Sequence, residues 1–302
     1  MKVLVTGATG AVGPAVVDAL LRDGNEVRAL VRRDISRSDI DVVRGDVVDS
    51  ATVMRAAQGV DAIVHLAGVL HKIRITPAVR AAYIAVNVVG TENVVRTGTR
   101  VIFASTIAVY GYNRGIPLTE EATLAPDSDY ARSKVAAEEI VRRAGGTILR
   151  FGAVYGARVK GNYRRLVRSL QRGRFIPIGN GHNRRSVIYD EDAATAVVAA
   201  LRSTRTTGET YNIVHPYTPM VKEIIAAICK ALGRKPPRFR IPAGPIRPLL
   251  SVAPAARAML DKYLEDVVVL ADKIKRDAGF VAHHDIDAGW LATVRALLET
   301  SE

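Results

Sequence analysis

The chain has 302 residues, of which 48% are hydrophobic and 24% charged, and its formal net charge at pH 7 is +13. This balance is that of a globular protein with a large core, and no apolar stretch is long enough and free enough of charge to predict a membrane span. The N-terminus lacks the features of a signal peptide and Cys229 is the single cysteine, so we expect a cytoplasmic protein without a disulfide or a membrane partner.

Lysine and arginine are spread along the chain, with their densest groups at "RVKGNYRRLVRSLQRGR" and "RKPPRFR". Such an excess of positive charge can serve nucleic acids, anionic membranes or acidic small ligands. Because no recognised nucleic-acid-binding motif accompanies the charge, we do not expect a nucleic-acid partner.

The first half of the chain alternates β-branched runs with helical patterns, which predicts an α/β fold with a Rossmann-type, doubly wound parallel sheet. The predicted strands are, in chain order, "KVLVTG", "NEVRALVRR", "DVVRGD", "DAIVHLAG", "RVIFAST" and "GTILRFGAVYG". The predicted helices are "GPAVVDALLRDG", "DSATVMRAAQGV", "AVRAAYIAVNVVGTENVVRTG" and the segment around "SDYARSKVAAEE".

Past residue 156 the alternation loosens and prolines become more frequent. Helices are predicted at "AATAVVAALRST" and "PMVKEIIAAICKALG", short strands at "ETYNIV" and "RFRIP", and closing helices at "LEDVVVLADKIKRDAGF" and "DIDAGWLATVRALLET". We therefore expect a dinucleotide-binding core over residues 1–156. Residues 157–302 should form mainly a smaller substrate-binding lobe, with some segments returning to pack on the core.

A glycine-rich loop joins the first predicted strand to the first helix. The stretch "TGATGAVG" spaces three glycines as GxxGxxG. At such a turn a Cβ atom would hold a dinucleotide pyrophosphate away from the amide groups at the helix N-terminus. The sequence therefore predicts a dinucleotide site. Its loop residues are Gly7, Thr9, Gly10, Ala11, Val12 and Gly13.

The end of the second strand bears on the choice of dinucleotide. An acidic side chain there would bind the ribose hydroxyls of NAD, but this chain has Val31 followed by Arg32 and Arg33. Because arginine pairs well with a 2′-phosphate, NADP is favoured over NAD, and both remain open. Asp46 and Val47, after the third strand, are expected at the adenine. The end of the fourth strand should line the cofactor through the backbone of Leu66, Ala67 and Gly68.

The stretch "YARSK" places Tyr130 and Lys134 four residues apart, so both side chains stand on one face of the predicted helix. A free phenol has a pKa of about 10 and is a poor base at neutral pH. An adjacent ammonium group and a positively charged nicotinamide ring would both lower the pKa of the phenol. Tyr130 could then take a proton from a substrate hydroxyl while hydride leaves the same carbon, and return it in the reverse direction.

With the glycine loop, "HLAG", "NVVGTENVV", "STIAVYG" and "YARSK" in this order, the chain resembles the extended short-chain dehydrogenase/reductase family, which includes the sugar-nucleotide epimerases. The resemblance continues through "RRSVIYDEDAATAV" and "KIKRDAGFVAHHDIDAGW". It implies Thr106, Tyr130 and Lys134 as catalytic residues, with Ser105 as the second choice for the hydroxyl group that holds the substrate oxygen.

The resemblance also implies the surroundings of the cofactor. Lys134 would bind the cofactor ribose, Asn87 would stabilise the cofactor region and Val154 would lie near the nicotinamide. Members of the family suggest a homodimer packed through the helices near 81–97 and 130–143.

The residues that follow Thr106 limit the reactions that the protein is expected to catalyse. The family's sugar 4,6-dehydratases carry an acidic pair where this chain has Ile107 and Ala108, so dehydration is not expected. The reactions that remain possible are epimerisation by transient oxidation and net reduction or oxidation at one carbon. In "NRRSVIY" Arg185 stands where the epimerases place an arginine that pairs with the substrate diphosphate. Arg158 and Asn162 could complete an anion clamp, which favours a nucleoside-diphosphate sugar as substrate.

Two alternatives stay open beside this prediction. Without the clamp, the substrate would be a small ketone, as in the dihydroflavonol-reductase-like and hydroxysteroid-dehydrogenase-like branches of the family. A non-catalytic, cofactor-sensing protein is the other alternative, although such relatives tend to lose the Tyr–Lys pair that this chain retains.

Three other residue types are expected to be structural. His283 and His284 are adjacent, and with no carboxylate or thiol at metal-ligand spacing we expect no metal site. Cys229 and Trp290 lie among apolar residues of predicted helices and are expected in the core.

Overall fold

A computed structural model of the protein describes residues 1–72, 74–111, 116–159, 161–249 and 253–299. Within these ranges the strands are β1 (Lys2–Thr6), β2 (Glu26–Val31), β3 (Asp41–Arg44), β4 (Ala62–His65), β5 (Arg100–Thr106), β6 (Thr147–Phe151), β7 (Ala153–Tyr155), β8 (Val187–Tyr189) and β9 (Thr210–Ile213). The main sheet has the order β3-β2-β1-β4-β5-β6-β9 with every neighbouring pair parallel, and β7 pairs with β8 in a second sheet. The predicted parallel α/β fold is confirmed.

The α-helices of the described residues are α1 (Gly13–Arg22), α2 (Ser50–Ala57), α3 (Pro77–Ala82), α4 (Gly90–Val95), α5 (Asp129–Arg143), α6 (Asn162–Gln171), α7 (Asp190–Arg202), α8 (Val221–Ala231), α9 (Ala243–Leu249), α10 (Pro254–Leu264), α11 (Asp272–Ala278) and α12 (Ile286–Glu299). A π-helical segment, Tyr83–Val89, joins α3 to α4. Among these helices none combines the length and the apolar character that crossing a bilayer requires.

Both faces of the main sheet are buried, which explains the nearly continuous apolar runs of its strands. On β1, Val3 and Val5 contribute to a core shared with α1 and α7, whereas Leu4 contributes to the core on the opposite face, with residues of α2, α4 and α5. The alternation of side chains along a strand therefore feeds two cores from one strand.

A third core lies in the lobe formed by later segments. Its residues come from β7, β8, α6, α8 and α12. The ring of Tyr155 stacks on that of Trp290 with centroids 4.3 Å apart. Cys229 and Trp290 are buried there, which confirms their predicted core positions.

Two predicted elements are interrupted. The stretch predicted as one helix from 78 to 98 is helical from Pro77 to Val95 but contains the π-helical segment. The predicted strand "GTILRFGAVYG" divides at Gly152 into β6 and β7, because β7 leaves the main sheet to pair with β8. A Cβ atom at Gly152 would lie 2.9 Å from the carbonyl oxygen of Ser186, so only glycine permits this approach.

Other predictions for the lobe were wrong or incomplete. Residues 265–271, predicted as the start of a closing helix, are extended, because Val267 and Val269 form β-bridges with Arg185 and Leu118. Only Asp272–Ala278 of that segment is helical. The predicted strand "RFRIP" is reduced to a single bridge between Ile178 and Ile241. Helices α6, α9 and α10 were not predicted.

Candidate active site

A cavity of about 480 Å³ runs along the carboxyl ends of the parallel strands. This edge is where open α/β sheets bind their ligands. Most of the predicted site residues line it: Gly7, Thr9, Gly10, Ala11, Val12, Gly13, Arg32, Asp46, Val47, Leu66, Ala67, Gly68, Ser105, Thr106, Tyr130, Lys134, Val154 and Asn162. The predicted residues that lie outside this lining are Arg33, Asn87, Arg158 and Arg185.

The glycine loop lies under the first turn of α1. Gly7 has a φ of +73°, and a Cβ atom there would lie 2.6 Å from the backbone nitrogen of Ala67. A Cβ atom at Gly13 would collide with the carbonyl groups of Gly7 and Ala8. The loop therefore packs directly against the end of β4 and leaves a backbone cradle at the start of α1, which fits a dinucleotide pyrophosphate.

The end of β2 forms the next part of the wall. Arg32 is exposed and lines the cavity, whereas Arg33 is exposed but lies outside the lining. Asp46 also lines the cavity and accepts a hydrogen bond from the backbone nitrogen of Val48 at 3.3 Å. Val47 is buried, so it supplies an apolar wall rather than a polar contact.

Thr106 and Tyr130 meet at the cavity. Thr106 is the last residue of β5, and Tyr130 stands in the first turn of α5, where the hydroxyl of Ser128 accepts a hydrogen bond from the backbone nitrogen of Ala131 at 3.2 Å. The side chains of Thr106 and Tyr130 line the same cavity, and Thr106 lowers the pKa of the phenol. Removal of the phenol from water outweighs this effect and raises the pKa of Tyr130 to about 12.

Lys134 lies below this pair. Its Nζ donates to the carbonyl oxygen of Ala104 at 2.6 Å and lies 4.1 Å from the centroid of the Phe103 ring. Burial lowers the pKa of Lys134 to about 7, against the opposing charge of Glu138. The protein's own groups therefore do not produce the lowered pKa predicted for Tyr130, because desolvation of the phenol outweighs the effect of Thr106.

The side-chain polar groups of Ser105 and Asn87 form hydrogen bonds with other groups of the protein. The hydroxyl of Ser105 donates to Glu138, whose carboxylate is paired with Arg150 at 2.7 Å. Asn87 accepts from the backbone nitrogen of Val69 at 2.7 Å and donates to the hydroxyl of Ser133 at 2.9 Å. Asn87 thus ties the loop after β4 to α5, and Ser105 ties the end of β5 to a buried ion pair.

The predicted anion clamp is only partly assembled. Asn162, at the start of α6, lines the cavity. A guanidinium nitrogen of Arg158 lies 3.7 Å from a carboxylate oxygen of Asp18. Arg185 donates to the backbone carbonyl oxygens of Tyr263 and Glu265, and burial lowers its pKa. The structure therefore brings one of the three predicted residues to the cavity.

The sequence analysis did not select His71. This residue lines the cavity, and its ring stands edge-on to that of Tyr130 with centroids 6.2 Å apart. Its place just after "HLAG", at the carboxyl end of a core strand, is the signal that could have identified it.

The two adjacent histidines do have a carboxylate nearby, contrary to the prediction. Nδ1 of His284 lies 2.8 Å, and Nδ1 of His283 3.2 Å, from Oδ1 of Asp192. The buried carboxylate of Asp192 also accepts hydrogen bonds from both backbone nitrogens at 3.3 Å. The sequence analysis missed this carboxylate because Asp192 is about ninety residues earlier in the chain. The contacts of Asp192 hold the segment that precedes α12.

Comparison with known proteins shows the family of the chain. Residues 3–214 match the model of the NAD dependent epimerase/dehydratase family. The chain therefore belongs to this family, as the resemblance indicated. It is an enzyme of the extended short-chain dehydrogenase/reductase type.

Particular relatives show the range of the family. The chain is 29% identical to the N-acetyl-alpha-D-glucosaminyl-diphospho-ditrans,octacis-undecaprenol 4-epimerase of Escherichia coli O157:H7, over 80% of this chain and 75% of that protein. It is 25% identical to a 3 beta-hydroxysteroid dehydrogenase/Delta 5-->4-isomerase of Mycobacterium tuberculosis, over 92% of this chain and 85% of that protein. The fold is similar to that of the UDP-glucuronic acid 4-epimerase from Bacillus cereus in complex with UDP-glucuronic acid and NAD, with a TM-score of 0.82, 20% identity, and coverage of 99% of this chain and 100% of that chain.

Proposed function

We propose that the protein is an NAD(P)-dependent epimerase or reductase that acts on one secondary alcohol carbon of a nucleoside-diphosphate sugar. The observation that carries this proposal is that the hydroxyl groups of Thr106 and Tyr130 and the ammonium group of Lys134 share one cavity with the glycine loop. Relatives and structural neighbours that act on or bind sugar diphosphates support the choice of substrate.

The residues present fit a nicotinamide dinucleotide. Gly7 and Gly13 allow the loop to pack tightly against protein backbone, so that the loop lines the cavity at the start of α1, and Lys134 and Val154 line the same cavity. When bound, the dinucleotide supplies a hydride acceptor or donor. Thr106 and Tyr130 would hold the substrate oxygen, and a phenol with a pKa of about 12 is protonated at neutral pH and ready to donate to a carbonyl oxygen. In the oxidative direction the same phenol must be a phenolate, which positive charge nearby would favour.

The first test replaces Tyr130 by Phe, which removes the proton donor and leaves the ring. We expect turnover of UDP-glucose or UDP-glucuronic acid to fall about 10²- to 10⁴-fold. Binding of NADH and NADPH, followed by fluorescence, should change little. The matched control is Tyr217→Phe, because Tyr217 is exposed and bonds to Glu223 away from the cavity. Full turnover in the Tyr130 variant, with cofactor bound, would refute the proposed role.

A preference for NADP over NAD is a further part of the proposal. Arg32 is the cation at the end of β2 that lines the cavity, and no acidic residue stands at Val31. A charge-assisted bond to the 2′-phosphate would strengthen NADPH binding selectively. In Arg32→Ala we expect the Kd for NADPH to rise at least about tenfold, with little change for NADH.

The control for the cofactor test is Arg33→Ala, which removes an equal charge outside the cavity lining. Equal affinity of the unchanged protein for NADH and NADPH would contradict the preference. An equal effect of the two arginine variants would show that general charge, rather than a specific contact, is responsible.

A small-ketone reductase is the second candidate. It is favoured by the placement of Arg158 and Arg185, whose guanidinium groups contact Asp18 and backbone carbonyls. The relative named as a hydroxysteroid dehydrogenase agrees with it. NADPH oxidation with a steroid ketone, but not with a sugar nucleotide, would favour this candidate.

We also propose a cytoplasmic homodimer. The π-helical segment and α5 lie side by side, and the exposed side chains on them include the apolar Ile84 and Val89. These elements are the ones through which the resemblance suggested dimerisation.

A further inference from the structure

The positive charge of the protein is concentrated in two segments. Residues 140–189 and 224–260 together hold 19 of the 43 Lys and Arg residues and none of the 30 Asp and Glu residues. The rest of the chain therefore holds more acidic than basic residues. Both segments belong mainly to the lobe, so the excess charge has a location in the fold.

The two segments meet beyond the C-terminal ends of α6 and α8. Ile178 forms a parallel bridge with Ile241, and the backbone nitrogens of Gly179 and Ile241 donate to Ile241 and Pro177, each at 2.9 Å. The guanidinium of Arg234 would lie 3.6 Å from a Cβ atom built at Gly173. We call the exposed residues around this junction the basic–apolar patch: Arg172, Arg174, Ile176, Arg234, Lys235, Arg238, Phe239, Arg240 and Ile241.

The patch exposes apolar side chains between cations. Phe239 is 83% exposed, Ile176 55% and Ile241 43%. Among the described residues, none of the six patch cations lies within 4.0 Å of a carboxylate oxygen. Cations gathered without counter-charges repel one another, and exposed aromatic and aliphatic groups beside them are typical of a binding surface.

We propose that the basic–apolar patch binds an anionic membrane surface. Phe239, Ile176 and Ile241 would enter the boundary between headgroups and acyl chains, while the arginines and Lys235 pair with lipid phosphates. Isoleucine side chains favour a lipid over a nucleic acid, because they have no face on which a base can stack. The sequence-based expectation of no membrane partner rested on the lack of a spanning segment, which peripheral binding does not need. The proposal is independent of the proposed catalytic function.

The test is sedimentation with vesicles of phosphatidylglycerol and phosphatidylcholine, compared with vesicles of phosphatidylcholine alone. We expect binding to the anionic vesicles, at least about tenfold weaker binding to the neutral ones, and release at high salt. No binding to anionic vesicles at low salt would overturn the proposal. Binding to a fluorescent DNA duplex without binding to vesicles would overturn it in favour of a nucleic-acid partner.

Variants separate the two contributions. Phe239→Ser should weaken vesicle binding through lost insertion, and Arg238→Gln with Arg240→Gln should weaken it through lost charge, each by at least about tenfold. The controls are Met54→Ser, at an exposed apolar position on α2, and Arg96→Gln with Arg205→Gln, which remove the same charge elsewhere. Circular dichroism establishes that each variant is folded. Equal losses in patch and control variants would refute a specific patch.

Discussion

At the scale of single residues, burial decides the charge states around the site. Tyr130 and Lys134 have pKa values moved in opposite directions, and in both cases loss of water around the group is the main cause. Both shifts favour the neutral form, which is the general effect of desolvation. The sequence shows which groups are neighbours but not how much water they lose, so the direction for Tyr130 was not predictable from spacing.

His65 gives a residue-scale prediction about stability. Its ring is buried between the hydroxyls of Thr6, at 2.7 Å, and Thr91, at 3.0 Å, and burial, aided by the charge of Lys134, lowers its pKa to about 3. Below pH 6.5 the unfolded chain takes up a proton that the native chain does not, so His65 makes the free energy of unfolding fall as pH falls towards 3. In His65→Gln the loss of stability from pH 7 to pH 5 should be smaller by about 2 kcal/mol.

Urea unfolding at pH 7 and pH 5, followed by circular dichroism, measures this difference. The control is His182→Gln, at an exposed position, which should keep the pH dependence of the unchanged protein. A His65 variant with an unchanged difference between the two pH values would contradict the assignment.

The two hydroxyls at the end of β5 show what a residue pattern can establish. Adjacent strand residues face opposite ways, and Thr106 meets Tyr130 while Ser105 meets Glu138. The preference for Thr106 rested on motif position, and alternation explains the arrangement. Arg185 could not be placed in this way, because its partners are backbone carbonyls about eighty residues further along the chain.

At the scale of helices and strands, the predictions were correct where a segment had one clear hydrophobic period and packed against neighbours close in sequence. The strands and helices of the first half were predicted because their neighbours are close in sequence and their periods are clear. The segment 265–271 failed because its valines find distant partners at Leu118 and Arg185. The division between β6 and β7 depends on contact with Ser186, which the local sequence does not contain.

The element-scale prediction concerns the proposed dimer. Ile84 is 57% exposed on the π-helical segment, beside α5. A charge at this position would be buried without a partner in a dimer packed through these helices, so Ile84→Glu should produce a monomer. Analytical ultracentrifugation measures the change. Met54→Glu, on α2, is the control, and a dimer that persists in the Ile84 variant would exclude this interface.

At the scale of the whole molecule, the basic residues are distributed differently in the folded protein than along the sequence. The sequence analysis described the basic residues as spread along the chain, and the fold collects two acid-free segments at one junction through the bridge between Ile178 and Ile241. Such a pairing joins residues more than sixty positions apart. Composition alone could show the size of the charge but not its place.

The departure of β7 from the main sheet has a consequence for the integrity of the fold. After β7 and β8 the chain returns to supply α7 beside α1 and β9 at the edge of β6. A polypeptide truncated after Gly156 would lack both, and would leave the edge of β6 and the apolar side of α1 uncovered. The protein can therefore not be divided at Gly156 into two independent parts. Any fusion or split must keep the segment from β7 to β9 in one polypeptide.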